Sequence, residues 1–586
     1  LKSNEYSPHH RELVRFNRHF FTADEKFTYM GSGSLGGKAH GLARMRGLLE
    51  SAIWDEFSAA MRVGLPATTV ICTDYFDLFM KENDLYDRAY SGERDEVLAH
   101  AFQAASLPVQ LLGDLRSLAE QVHRPLAVRS SSMLEDAMFE PFASVYGTKM
   151  IPNNQPDADT RFRRLDEAIK YVYASTFFKD ARDYMKATHH STRDEKMAVI
   201  IQEVVGTRFD ERFYPHISGV ARSHNFYPTG NAEAEDGVVD LALGLGRTIV
   251  DDATAWSYSP AYPAADPPYN TIGELLKQTQ TKFWAVNMGR PPAYDPTSEV
   301  EYLVHSDLRA AEYDGSLKYV ASTYSAERDR IVMGTGTKGP RLLNFAPILS
   351  GDELPLNDMI KLLLKTCEEA LDSLVEIEFA VVIDPAGRRP AEFAFLQVRP
   401  MVVSRDVVEV GPEELSGPGV LAASDMVMGN GTRDDIRDVV YLKPESFDID
   451  HSRTIADELG SLNSQLLESK RPYVLIGFGR WGTSDPQGGI PVKFGQISGA
   501  RVVVEATLPE VDFNLSQGSH FFHNLTSFKI FYLSIHHSRA DSINWEALAA
   551  RPAVNETEFV RHVEFPCPLK IKVDGRNGRG LILYEA

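Results

Sequence analysis

The sequence predicts an α+β fold followed by a smaller, β-rich α/β domain. Three observations predict it. Through roughly the first 400 residues, short β-branched runs alternate with helical periodicity. Beyond residue 436, β-rich runs separated by glycine turns replace that alternation. The chain has 586 residues, too many for one hydrophobic core, and roughly two to four domains are expected.

The elements follow in order. The glycine-rich turn 31–38 feeds a helix in which Leu42, Met45 and Leu49 share a face. A β-branched strand is expected at 69–73, with Asp74 placed to cap a helix over 75–81. A strand at 126–128 ends in Arg129 and three serines. One long helix is expected over about 161–185, with Leu165, Ile169 and Val172 on one side, then a buried strand at 197–205. Residues 239–250 read as strand, glycine turn, strand, and the Pro- and Tyr-rich stretches 258–270 and 290–296 read as loops. Two apolar strands, 375–383 and 391–401, are joined by a hairpin-like connection through Asp384 and Gly387. Residues 406–435, rich in Gly, Pro, Ser and Asp, read as a linker. The following domain, 436–586, carries strand signals at 473–477, 500–506, 529–535 and 581–584. There is no fixed-period repeat.

Composition excludes some functions. The hydrophobic share of 43% and charged share of 24% are ordinary for a soluble globular protein. No run approaches the ~20 apolar residues that span a bilayer, and no signal peptide is evident in a sequence that starts at Leu1. A net charge of −21 argues against nucleic acid as a partner, since duplex affinity comes mainly from Lys and Arg on phosphates. It does not argue against a nucleotide, which needs only a few local cations. Cys72, Cys367 and Cys567 are too sparse for a disulfide framework or a cysteine zinc site. They are expected to be buried thiols in a cytoplasmic protein. The sequence leaves homo-oligomerisation open.

Three motifs carry chemistry. The turn 31–38 fits G-x-G-x-x-G at Gly31, Gly33 and Gly36, but Ser32 and Ala39 exclude a P-loop. Its backbone N–H groups, the helix start and Lys38 could receive an anion; the alternative is a flexible turn with a solvated lysine. Arg129 at a strand end offers a rigid donor fork for phosphate, or pairs with Glu135 or Asp136. Glu376 and Glu378 face one side of an apolar strand, which is costly without a cation. Gln397 and Arg399 can lie beside them on the next strand. The set suits Mg²⁺ and a phosphate, or a plain cross-hairpin ion pair.

Taken in sequence, these motifs resemble the N-terminal module of the pyruvate phosphate dikinase and phosphoenolpyruvate synthase family. The resemblance runs from Gly36-Gly37-Lys38 and Gly64-Leu65-Pro66 through Ala127-Val128-Arg129-Ser130-Ser131, Val199-Ile200-Ile201-Gln202, Ser218-Gly219-Val220-Ala221 and Gly244-Leu245-Gly246. It ends at Glu376-Ile377-Glu378 and Gln397-Val398-Arg399-Pro400, covering roughly residues 30–402. It implies a two-lobed ATP-grasp module, with lobes at 1–195 and 196–405, that grips ATP. By position, Lys38 and Arg129 would hold phosphates, Glu378 and Gln397 would bind Mg²⁺, and Arg399 would reach the transferred phosphoryl group. Gln202 and Glu203 would lie on the strand bordering the adenine. The implied function is ATP-dependent phosphotransfer of dikinase type to a histidine or a small-molecule acceptor. A direct kinase or ligase, and a nucleotide-binding regulatory module without turnover, are the alternatives. The sequence departs from the family in three ways: residues 385–390 enlarge the hairpin loop, Arg247 stands where an acid is common, and the phosphohistidine motif and pyruvate barrel are not found.

The C-terminal third resembles no family, and its role is open. Residues 477–486, with Arg480 and Trp481, could bind an anion or a ring, or form a structural glycine turn. His520, among small polar residues, is a candidate phosphate acceptor in place of the missing histidine, with His523 a weaker one; a hydrogen-bonded core histidine is the alternative. His536 and His537 are expected to be structural or on the surface.

Overall fold

The computed structural model describes residues 13–18, 26–135, 145–188, 191–193, 195–250, 254–265, 272–277, 279–351, 354–384, 386–401, 408–417, 419–483, 489–508, 525, 528–537 and 543–585. The first lobe is a six-stranded sheet in the order Val14–Arg15, Phe27–Met30, Thr68–Ile71, Met197–Glu203, Leu126–Ser132, Thr148–Ile151. Met197–Glu203 is almost wholly buried, and its apolar run Met197–Ile201 lies at the centre of the sheet. The sheet therefore does not divide from the rest at 195/196. The strand on the far side of that boundary is hydrogen-bonded between Thr68–Ile71 and Leu126–Ser132.

The long helix expected over 161–185 is two helices, Ala158–Ser175 and Lys179–Ala187. No glycine or proline marks the break. Tertiary contacts hold it: the Asp95 carboxylate accepts from the Lys179 N–H (2.8 Å), and Arg182 donates to the Glu93 carbonyl (3.1 Å). Phe177 is buried at the break, stacked near Phe76.

The second lobe is also six-stranded, ordered Trp256–Tyr258, Val238–Ala242, Ile217–Arg222, Val375–Val382, Ala391–Pro400, Met61–Gly64. Its last strand comes from the beginning of the chain and lies parallel to Ala391–Pro400. Helix Leu356–Leu371 packs its apolar face on this lobe through Met359, Ile360, Leu363 and Cys367. The second strand expected within 239–250 is instead the helix Arg247–Val250. The run Thr248-Ile249-Val250 signals strand locally, but the turn at Gly244 (φ 84°) brings the Ile249 and Val250 N–H groups onto the Gly246 carbonyl.

The C-terminal domain is a nine-stranded sheet. Its centre is parallel, ordered Asn430–Leu442, Tyr473–Phe478, Ala500–Ala506, Phe531–Ile535, with helix Ser452–Glu468 joining the first two. The expected linker 406–435 is corrected within its described part. Val420–Ser424, Val427–Met428 and the start of Asn430–Leu442 are strands of this sheet. Its glycines, several at positive φ such as Gly429 and Gly431, bend strands rather than separate domains. Cys72 and Cys367 are buried, but Cys567 is exposed. It lies between Pro566 and Pro568 where the pairing register shifts, and the strand there loses its alternation.

The domain docks on both lobes. Phe494 packs against Tyr184 of the first lobe (centroids 5.4 Å), and Lys493 pairs with Asp180. Tyr227 of the second lobe packs against the shared core. Among the described residues no helix is long and apolar enough to cross a membrane.

Candidate active site

The glycine turn is built differently from an anion cradle. The Ser32 and Gly33 N–H groups donate to the Asp74 carboxylate (2.9 and 3.0 Å), and the Ser34 N–H donates to Thr73 Oγ1 (2.9 Å). Asp74 thus ties down the turn instead of capping its helix. A Cβ on Gly36 would lie 1.7 Å from the Ser131 carbonyl oxygen, and one on Gly37 1.7 Å from that of Glu135. The glycines let the turn lie flush on the end of Leu126–Ser132.

This packing delivers Lys38. Its Nζ is 2.7 Å from Glu135 Oε1 and 3.2 Å from Ser130 Oγ, and it is 9% exposed, which excludes a solvated lysine. Glu135 also accepts from the Ser132 N–H (2.8 Å). The sequence reading missed Glu195, which accepts from the Met133 N–H and the Tyr146 hydroxyl (both 3.2 Å). Burial, then the charge of Glu135, pushes its carboxyl up to about 7.

Arg129 does not pair with Glu135; Asp136 lies outside the described residues. Arg129 crosses to the other lobe, where Nη2 donates to Gln397 Oε1 (2.6 Å) and stands 3.7 Å from Glu378 Oε2. On the hairpin, Glu376 is opposite Arg399 and Glu378 is opposite Gln397, as the alternation predicts. Arg399 places Nε 3.1 Å from Glu376 and Nη2 2.6 Å from Glu378. The two glutamates on one face are thus charge-compensated. Sequence reading also missed Arg222, which donates to Glu376 (2.6 Å) and to Asp240 (2.7 Å). The signal available was a lone Asp and a lone Arg in otherwise apolar strands.

Lys38, Arg129, Gln202, Glu203, Glu378, Gln397 and Arg399 all line one cleft of ≈ 960 Å³. The buried Gln202 donates to Thr68 Oγ1 (3.1 Å), and burial holds the Glu203 carboxyl above the usual range. Arg247 lines the cleft too, 5.7 Å from the Trp284 ring centre and 3.3 Å from Glu299. The wall continues onto the C-terminal domain through Gly482, Thr483 and Lys493. Trp481 is buried against Gly477, and the His537 ring nitrogen is 2.9 Å from Thr507 Oγ1. His520 and His523 lie outside the described residues.

Two six-stranded sheets, with an arginine of one hydrogen-bonded to a carboxamide of the other in the cleft that both line, fit a two-lobed nucleotide-binding module of ATP-grasp type. Residues 32–415, more than half of the chain, match the family described as pyruvate phosphate dikinase, AMP/ATP-binding domain. The chain belongs to that family. A comparison with curated proteins found no match.

Proposed function

We propose that the protein is an ATP-dependent phosphotransferase of dikinase type that binds Mg·ATP between its lobes. The observation that carries this reading is the cross-lobe contact of Arg129 with Gln397 and Glu378, which joins a phosphate-binding cation to hard-oxygen ligands. Lys38 and Arg129 bind phosphate oxygens, exchanging their present carboxylate and carboxamide partners for the nucleotide. Gln202 and Glu203 border the base. Arg399 stabilises the charge of the transferred phosphoryl group.

Glu378 and Gln397 fit Mg²⁺ by their chemistry: both present oxygen to the cleft from directly opposed positions. Among the described residues no group of three or more His, Cys, Asp or Glu could hold a metal. Glu378 and Gln397 would therefore share the ion with the nucleotide's phosphates and water. Bound Mg²⁺ supplies charge neutralisation and orientation of those phosphates.

The acceptor separates two routes. In the dikinase route a histidine, for which His520 is our candidate, takes the β,γ-pyrophosphoryl group and AMP is left; the terminal phosphate then passes to water or inorganic phosphate, and the β-phosphoryl group stays on the histidine. In the direct route a small molecule takes the γ-phosphoryl group and ADP is left. The C-terminal wall of the cleft favours keeping the direct route open, since that domain can present an acceptor to the same cavity. Incubation with Mg²⁺ and ATP labelled separately at the β and γ positions tests the proposal. AMP with acid-labile phosphate on the protein, lost in His520→Ala, supports the dikinase route through that residue. ADP with a labelled small molecule supports direct transfer. Nucleotide binding with no turnover would overturn the enzymatic reading in favour of a regulatory module.

A further inference from the structure

We infer that Arg222 is a positioning residue for the phosphoryl-transfer site, acting on Arg399 through Glu376. The inference rests on the reading above, in which Arg399 and Glu378 face the transferred group. Strand register carries it. Arg222, Glu376 and Arg399 occupy directly opposed positions on three adjacent strands, Ile217–Arg222, Val375–Val382 and Ala391–Pro400. Asp240 lies diagonally across the next strand and also accepts from the Ser257 hydroxyl.

The result is a continuous row of alternating charge: Asp240, Arg222, Glu376, Arg399, Glu378, Arg129. Three carboxylates face three guanidinium groups. The row is buried at Arg222 (7% exposed) and opens into the cleft at Glu378 and Arg129. In so dry a place, charge balance governs geometry.

Glu376 has its two oxygens divided. Oε2 takes the Arg222 Nε and Oε1 takes the Arg399 Nε. Arg399 meets Glu376 through Nε and directs Nη2 to Glu378 and, in turn, to phosphate. Without Arg222, Glu376 would offer both oxygens to Arg399. A guanidinium facing a free carboxylate takes the two-bond fork, so Arg399 would turn away from the cleft. Glu378 would lose its contact with Arg399 while keeping Arg129, and the site would become more negative by one charge.

The test compares Arg222→Met and Arg222→Lys with the unaltered chain. Three quantities are read: ATP turnover, ADP affinity without metal, and Mn²⁺ affinity in the presence of ADP by electron paramagnetic resonance. In Arg222→Met, turnover should fall about 10- to 100-fold, the scale of a misplaced catalytic group. ADP affinity should stay within about threefold, while Mn²⁺ should bind about three- to tenfold more tightly at the more negative site. Arg222→Lys keeps the charge, so Mn²⁺ affinity should hold and turnover should be intermediate. A purely structural role would weaken all three quantities together, and that result would overturn the inference. So would normal turnover and Mn²⁺ affinity in a folded Arg222→Met. Should that variant not fold, Arg222→Lys decides alone: lower turnover at unchanged Mn²⁺ affinity supports the inference, and normal turnover overturns it. An unaltered chain that binds neither ATP nor Mn²⁺ would overturn the parent reading, and the inference with it.

Discussion

The two sides of the cleft are built by opposite means. On the first lobe, Lys38 is held by packing: a glycine turn lies against a strand end, and one buried carboxylate, Glu135, faces the amine. On the second lobe, Glu376, Glu378 and Arg399 are held by charge, paired across a hairpin whose alternation sets their side. The first side should therefore fail by steric strain and the second by electrostatics. This difference also explains why the glycine motif misleads. Its N–H groups are taken by Asp74 and Thr73, and its glycines serve close approach.

The comparison breaks first at Gly36. A Cβ there would strike the Ser131 carbonyl oxygen at 1.7 Å, and the residue sits at φ 76°. Gly36→Ala should cost about 2–5 kcal/mol, combining overpacking with left-handed strain. Denaturant unfolding checks this, and a change below about 1 kcal/mol would contradict the packing account.

Next is Lys38→Ala, which removes one phosphate contact and leaves Glu135 without its cation. Nucleotide binding should weaken by about 1.5–3 kcal/mol, the range for a charged hydrogen bond. Calorimetric titration with ADP measures it. Unchanged affinity in the folded variant would remove Lys38 from the site.

On the charged side, Glu378→Gln keeps shape and removes charge. Turnover should fall about 10- to 100-fold with a smaller loss of nucleotide affinity, because charge neutralisation matters most during transfer. Normal turnover at limiting Mg²⁺ would withdraw the metal assignment.

The smallest effect concerns pH. Glu195 has a folded pKa raised from 4.5 to about 7 by burial and by Glu135. Between those values the folded protein keeps a proton that the unfolded chain releases. Stability should thus decline as pH rises from about 4.5 to 7, by on the order of 1–3 kcal/mol, and change no further from this group above that. Glu195→Gln should flatten the decline. An unchanged stability profile would mean that Glu195 does not titrate in this window.

Local pattern determined much of this protein. Period-two alternation in 375–400 put Glu376, Glu378, Gln397 and Arg399 on one face, because side-chain direction in a strand depends only on the residue's own place in the pleat. Helix Gly37–Leu49 buries Leu42, Met45 and Leu49 for the same kind of reason. What tertiary structure decided is every question of partner. Met61–Gly64 joins the second sheet, and residues read as a linker become strands. A continuous helical pattern breaks at Phe177, and Arg129 reaches across to Gln397. Glu195 and Arg222 gain their significance only from neighbours far along the chain. Hydrogen bonds and ion pairs are satisfied by whatever the fold brings within about 3 Å, and sequence spacing carries no measure of that distance.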